Sequence, residues 1–504
     1  MATNLGDAAI RGLKWTTFAT VITTLLQVLY TSIMARLLQP EDFGVVAMAS
    51  FVLRFGGYFA QMGIGQALIQ KKEISSHDIR VAFTSTFFLG ILFSGLFYVL
   101  APFSTLVFAN PKIISVVRVM SISFFLSGLS STSMNLLRKK MDFKLLSIIE
   151  VCSYLFGYLS VGIILAYYGF GYWSIVMAGL AQIISSTLIS YSIVRHNLLF
   201  LFKWEYYKPL LNFGGKISFI SLLEFLRVHL STLVIGRLFS AAVLGIYTRA
   251  FELISLPIYY LTTNFSKVLL PVFSVIQDDK PKLKNAFLSS IAIVGYIIIP
   301  ICIGISIASE QMVLILLGSK FEAAIIVTSI LALGMPFRVF NNINGIVCEA
   351  TATLNVKAIF QIFYISLLTI LYFILKEYEL VGIAMSFIVA ELFMIIAYTI
   401  ITKKLLQYTV SEILQAIAPG MLTGIIAGIS IYTITIFLKN HSLPLLIILS
   451  AQIVTGALCV FLSLFLKVNK LIKNEIYKRL ANSITDTNKS FKNKLLNKAL
   501  QLMS

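Results

Sequence analysis

Charge is scarce in this chain. Only 12% of its 504 residues are Asp, Glu, Lys or Arg, about half the share of a soluble domain, while 58% are hydrophobic. Acids are the scarcer sign, 21 against 40 basic residues, which leaves a net charge of +19. Cysteine and histidine number four each. Cys152, Cys302, Cys348 and Cys459 stand singly in apolar runs, match no metal or redox spacing and read as packing residues. The histidines are equally scattered, so metal catalysis has no foothold and no cofactor or metal is expected.

What fills the sequence is a succession of apolar stretches from Trp15 to Leu466. A helix needs about 20 residues to cross roughly 30 Å of hydrocarbon, and lipid leaves helix as the only sensible backbone for such runs. The pattern predicts an all-α polytopic membrane protein with fourteen spans. They fall near 13–37, 43–69, 81–108, 113–137, 144–168, 171–194, 213–238, 249–276, 285–308, 323–348, 357–375, 380–402, 412–437 and 443–466. The first run is long enough to span and directly follows Arg11 and Lys14, so it reads as a helix rather than a cleaved signal.

The basic residues orient these spans. With the N-terminus cytoplasmic, 28 of the 40 lie on inner segments and seven on outer joints or helix ends: Arg36, Lys112, Arg237, Arg249, Lys320, Lys376 and Lys439. The positive-inside rule then places both termini in the cytoplasm. The excess charge is this asymmetry plus contact with anionic inner-leaflet lipid, and implies no nucleic acid.

An internal repeat is visible. Ala35-Arg36-Leu37-Leu38 leads to Phe43-Gly44-Val45, and Gly236-Arg237-Leu238-Phe239 leads to Leu244-Gly245-Ile246, with eight residues from arginine to glycine in both. Six spans separate the copies, so both share one orientation. This predicts two six-helix bundles, 1–194 and 213–402, related by a pseudo-twofold along the membrane normal and joined by a cytoplasmic linker at 195–212. Two further helices occupy 403–466. The tail 467–504 carries apolar residues at helical spacing among lysines, the pattern of helices lying on an anionic leaflet.

Within the spans sit ionisable residues that lipid penalises by about 2.5–3.5 kcal/mol each, so they normally face protein or a wet cavity. Arg54 lies between Phe51 and Gly56-Gly57, and Arg338 follows Gly334 and Pro336 and precedes Asn341, Asn342 and Asn344. Broken helices with polar residues at mid-depth commonly line cavities. Glu224 and Arg227 stand three apart on one helical face and can pair with each other or present Arg227 to an anion. Lys267 either reaches the cavity or snorkels, as does Arg118. Glu150 and Glu391 are lone carboxylates in apolar helices, open to a coupling proton or to a hydrogen-bonded structural role. Gln27, Asn135 and Gln182 suit sugar hydroxyls or polar contacts between helices.

Several segments resemble a known family. Ala35-Arg-Leu-Leu-Gln-Pro-Glu-Asp-Phe-Gly44 is similar to the first outer turn of Wzx-type polysaccharide flippases of the MOP exporter superfamily. Gly63–Ile69, Leu136–Phe143, Ile235–Phe239 with Leu244–Ala250, and Leu317–Ala323 continue the likeness in order. One departure is that Ser231 and Thr232 stand where an aspartate would precede Ile235-Gly236. The resemblance implies transport of a polyprenyl-pyrophosphate-linked oligosaccharide across a bacterial cell membrane by alternating access, beside a polysaccharide polymerase and glycosyltransferases. The residues fit: guanidinium groups pair with phosphate through bidentate, charge-assisted bonds. A multidrug or toxin extruder of the same superfamily would set an arginine-lined cavity against cationic cargo. A membrane glycosyltransferase or polymerase needs acid–base residues at an outer site, and no outer joint here gathers Asp, Glu or His.

Overall fold

The structure, a computed structural model of the full chain, describes residues 2–61, 68, 69, 71, 74–202 and 225–464. Side chains are described from Lys14 onward, apart from 58–61, 260, 261, 263, 264, 267 and 354. Every regular element among the described residues is a helix. In chain order we denote the long ones α1 (Ala2–Leu37), α2 (Pro40–Gln61), α3 (Ser76–Leu100), α4 (Lys112–Lys139), α5 (Phe143–Tyr154, continuing to Tyr167), α6 (Tyr172–Ile193) and α7 (225–238). Then come α8 (Ala241–Val275), α9 (Lys280–Ile307), α10 (Ala324–Ala350), α11 (Leu354–Ile374), α12 (Glu379–Leu406), α13 (Val410–Asn440) and α14 (Leu445–Ser463).

Among the described residues, 12 helical stretches are long and apolar enough to cross a membrane. They coincide with twelve of the expected spans. At the other two positions stand α2 and α7, and 62–67 and 213–224 of those spans lie outside the described residues. Short polar residues set the helix starts. Ser75 with Asp78 and Thr409 with Glu412 form capping boxes at α3 and α13, and the Asp142 and Asp279 carboxylates cap α5 and α9. The helix α8 opens eight residues before the expected 249, because Phe239 and Ser240 suffice for the turn. Within α5, Leu155–Gly162 is a π-helical stretch.

Two compact units emerge: Met1–Arg249 with Leu316–Phe321, and Ala250–Ile315 with Glu322–Ser504. Compactness therefore changes inside α8, whereas the expected linker at 195–212 marks the change of repeat. The described part of that linker runs as an irregular strap on α3. Arg80 donates to the Leu199 and Phe200 carbonyls (3.1 and 3.0 Å), and the Leu201 N–H donates to Thr84 Oγ1 at 3.0 Å.

The first unit is built on close backbone approaches. An added Cβ at Gly128 would lie 2.3 Å from the Thr86 carbonyl oxygen, and one at Gly90 2.9 Å from that of Phe124, so α3 and α4 meet through a reciprocal pair of glycines. The repeat glycines do the same. A Cβ on Gly44 would lie 1.8 Å from the Ala241 carbonyl oxygen, and one on Gly245 1.8 Å from that of Pro40. The start of α2 and the start of α8 thus interlock through the two glycines. Segment 316–321 closes over the same end. Lys320 Nζ donates to the Arg36 and Leu38 carbonyls (2.9 and 3.3 Å), and Phe321 packs edge-on to Phe43 at 5.7 Å.

In the second unit α13 packs closely on α9. Its Gly420, Gly424 and Gly428 recur every four residues against Gly295, Ile299 and Ile303 of α9, with a Cβ on Gly420 only 2.5 Å from the Gly295 carbonyl oxygen. The helices α10 and α12 pack alongside, and α11 packs on α12.

Candidate functional site

The second unit holds the most developed constellation, and α10 organises it. Pro336 lacks an N–H and so frees the carbonyl four residues earlier, while Gly334 leaves room for a neighbour. That neighbour is Phe387 of α12, whose ring would lie 2.8 Å from a Cβ at Gly334. The seated ring in turn carries the half-buried Arg338, whose Cζ lies 5.8 Å from the Phe387 centroid and 5.3 Å from that of Phe251 in α8. Such contacts are worth about 0.5–2 kcal/mol and hold the guanidinium without consuming its N–H groups. No described carboxylate pairs with Arg338.

One turn further along α10 and α12 lies a second rung. Glu391 is 2% exposed. Asn341 Nδ2 donates to its carboxylate at 2.7 Å and to its backbone carbonyl at 3.0 Å, and the Tyr364 hydroxyl of α11 donates to Oε1 at 3.1 Å. These three bonds tie α10, α11 and α12 together and fix which face of α10 turns away from them. Asn344 is absorbed into packing, its amide carbonyl accepting from Thr402 at 3.0 Å. Asn342 is exposed and donates to Ser266 Oγ of α8 at 3.2 Å.

In the first unit Arg54 is exposed on α2, and no described side chain pairs with it. Its neighbours Phe51 and Phe55 pack on Phe225 of α7 (centroids 5.2 and 6.0 Å), two residues before the half-buried Arg227. The aromatic cluster therefore brings the Arg54 turn of α2 and the Arg227 turn of α7 to one place. Glu224, the expected partner of Arg227, lies outside the described residues, as does the side chain of Lys267. Glu150 stands exposed on α5. Asn135 is spent within its own helix, donating to Ser131 at 2.9 Å and accepting from Arg138 at 3.2 Å. Arg118 lies over the Tyr98 ring at 5.4 Å. Gln27 and Gln182 are half-buried. Cys302 and Cys348 are buried, whereas Cys152 is exposed, and all four thiols are free. No described cluster of three His, Cys, Asp or Glu residues could hold a metal.

A family profile described as polysaccharide biosynthesis protein matches residues 33–326, more than half of the chain. The chain belongs to that family. This polysaccharide biosynthesis protein is 26% identical to the lipopolysaccharide biosynthesis protein WzxC of Escherichia coli, over 71% of its own length and 73% of the relative's. It is 24% identical to the teichuronic acid biosynthesis protein TuaB of Bacillus subtilis, over 93% and 97%. Among solved structures, the fold matches the lipid II flippase MurJ in an inward closed conformation, with a TM-score of 0.71 at 15% identity over 90% of this chain and 99% of that one. An inward-facing multidrug resistance MATE transporter of the MOP superfamily matches with a TM-score of 0.60 at 17% identity, over 77% and 96%. The polysaccharide biosynthesis protein is accordingly a multi-pass, all-helical membrane protein with the fold of these structures.

Proposed function

We propose that this membrane protein is a transporter, a flippase that carries a polyprenyl-pyrophosphate-linked oligosaccharide from the cytoplasmic to the outer leaflet by alternating access. The observation that carries the reading is the pair of arginines. Arg54 and Arg338 each lie fourteen residues into their helix, about 21 Å along it, and neither is neutralised by a described carboxylate. If α2 and α10 enter from the outer face, both reach the level where a pyrophosphate needs cationic partners. Arg227 and Lys267 supply further positive charge to the same task. The reading keeps fourteen crossings, six in each repeat and two more, with both termini cytoplasmic, the tail on anionic lipid, and polymerase and glycosyltransferases as partners of the pathway. Among the described carboxylates Glu391, one turn beyond Arg338, takes the pairing or coupling role ahead of the exposed Glu150, and Glu224 is the third candidate.

A multidrug extruder shares this fold, so fold alone does not separate the two. Unneutralised guanidinium groups favour anionic over cationic cargo. The deciding experiment uses purified protein in vesicles loaded on one leaflet with lipid-linked glycan. The glycan becomes accessible on the opposite leaflet with its mass unchanged. Export of a cationic dye without movement of the lipid would overturn the proposal. Topology is checked separately: a cysteine at Asn440 labels from outside intact cells, one at Ser75 does not, and the reverse pattern would refute the orientation.

A further inference from the structure

The helix α8 carries polar residues at Glu252, Ser255, Tyr259, Thr262 and Ser266, spaced three, four, three and four apart, which places all five on one face. The opposite face packs inward through Leu253, Ile254 and Ile258, each buried. The polar face does not: Tyr259 is 60% exposed and the other four are half-buried. A stripe about 21 Å long of this character is a poor neighbour for hydrocarbon and lines a wet surface instead.

The bonding along the stripe sets its chemistry. Ser255 donates to the Glu252 carbonyl (3.4 Å), Thr262 to that of Ile258 (2.9 Å), and Ser266 to that of Thr262 (2.9 Å). With their protons directed to the helix, these hydroxyls turn acceptor lone pairs outward. One is already in use, since Ser266 Oγ accepts from Asn342. The Asn342 carbonyl and second N–H have no described partner, and Arg338 lies one turn before Asn342 on α10. Successive acceptors, a carboxylate, an exposed aromatic ring and a two-way amide are the groups that bind sugar hydroxyls and sugar ring faces, and they lead away from a guanidinium suited to phosphate.

We infer that the α8 stripe with Asn342 is the track that binds the oligosaccharide while Arg338 holds the pyrophosphate; this rests on the flippase reading above. Sugar recognition is thereby separable from recognition of the lipid carrier, and both sit in the second unit.

The test measures binding by full-length protein, using bare polyprenyl pyrophosphate and the lipid-linked saccharide pool extracted from the cells that make the protein. Wild-type protein binds the glycosylated lipid about tenfold or more tightly than the bare carrier. The combined Thr262→Val, Ser266→Ala, Asn342→Ala variant, verified as folded by its thermal transition, brings the glycosylated lipid to within about twofold of the carrier, which it binds as wild type does. Arg338→Ala weakens both lipids alike. Equal wild-type affinity for the two lipids, or a triple variant that loses both together, overturns the track and leaves the carrier reading standing. Failure of wild-type protein to bind either lipid overturns the carrier reading, and the track with it.

Discussion

Arg54 of the first unit and Arg338 of the second stand equally far into their helices, yet they are held in opposite ways. Arg338 rests on two phenylalanine rings, with a buried carboxylate and its donors fixing the helix one turn on. Arg54 has no such platform among the described residues and projects from a turn whose phenylalanines pack sideways onto α7. The same residue type is thus pre-set by aromatic packing in one unit and left adaptable in the other. A grip selects geometry, whereas a loose charge accepts any anion within reach.

The largest test of that difference replaces each arginine by alanine. If both contact pyrophosphate, each charge-assisted contact is worth about 1.5–3 kcal/mol. Transport per folded molecule should then fall roughly tenfold to a hundredfold in both variants. Lysine sharpens the contrast: Arg54→Lys should recover most of the activity and Arg338→Lys little, because an ammonium lacks the plane that lies on Phe251 and Phe387. Equal rescue at the two sites would erase the distinction.

Next in size is the rung behind Arg338. Glu391→Gln places an amide against Asn341 and the Tyr364 hydroxyl, and should cost about 1–3 kcal/mol of stability in thermal unfolding. Glu150→Gln, on the exposed face of α5, should stay within about 0.5 kcal/mol. A silent Glu391→Gln would mean that α10 is not set by this network. Smaller again is Phe387→Leu, which removes one ring. Transport per folded molecule should drop about twofold to tenfold, an effect expected to vanish in the Arg338→Ala background.

The smallest effect is a pH dependence confined to the first unit. His196, in the strap after α6, packs on Phe83 and Tyr191, and burial pushes its pKa below the usual histidine value. Its neutral form is therefore favoured in the folded state. The stability it supports is complete above about pH 6.5 and declines as pH falls below that, when the unfolded chain takes up a proton more readily. His196→Phe should flatten the decline, and an unchanged acid profile would count against it.

Much of this was legible in the sequence because lipid is a demanding solvent. Apolar runs of spanning length placed twelve helices, and the ionisable residues inside them were conspicuous for the same reason. The Asn341–Glu391–Tyr364 network was not legible, since it joins residues up to 50 positions apart that only packing brings together. The α8 stripe was readable in principle. Its spacing of three and four is plain in the residues, but hydroxyls in an apolar helix draw less notice than arginines. Burial of Glu391 and exposure of Glu150 could not be told apart either, because both occur in similarly apolar surroundings and differ only in which face meets a neighbour.

The interlocked glycines at the starts of α2 and α8 bear on how this chain can change over generations. Alanine is ordinarily the safest replacement inside a helix. At Gly44 or Gly245 it drives a methyl group into a main-chain carbonyl. Every residue type carries that carbonyl, so no second-site change of side chain can relieve the clash. Drift at the two positions is closed from both directions. The exposed faces of α8 and α10 can diversify while this joint stays fixed.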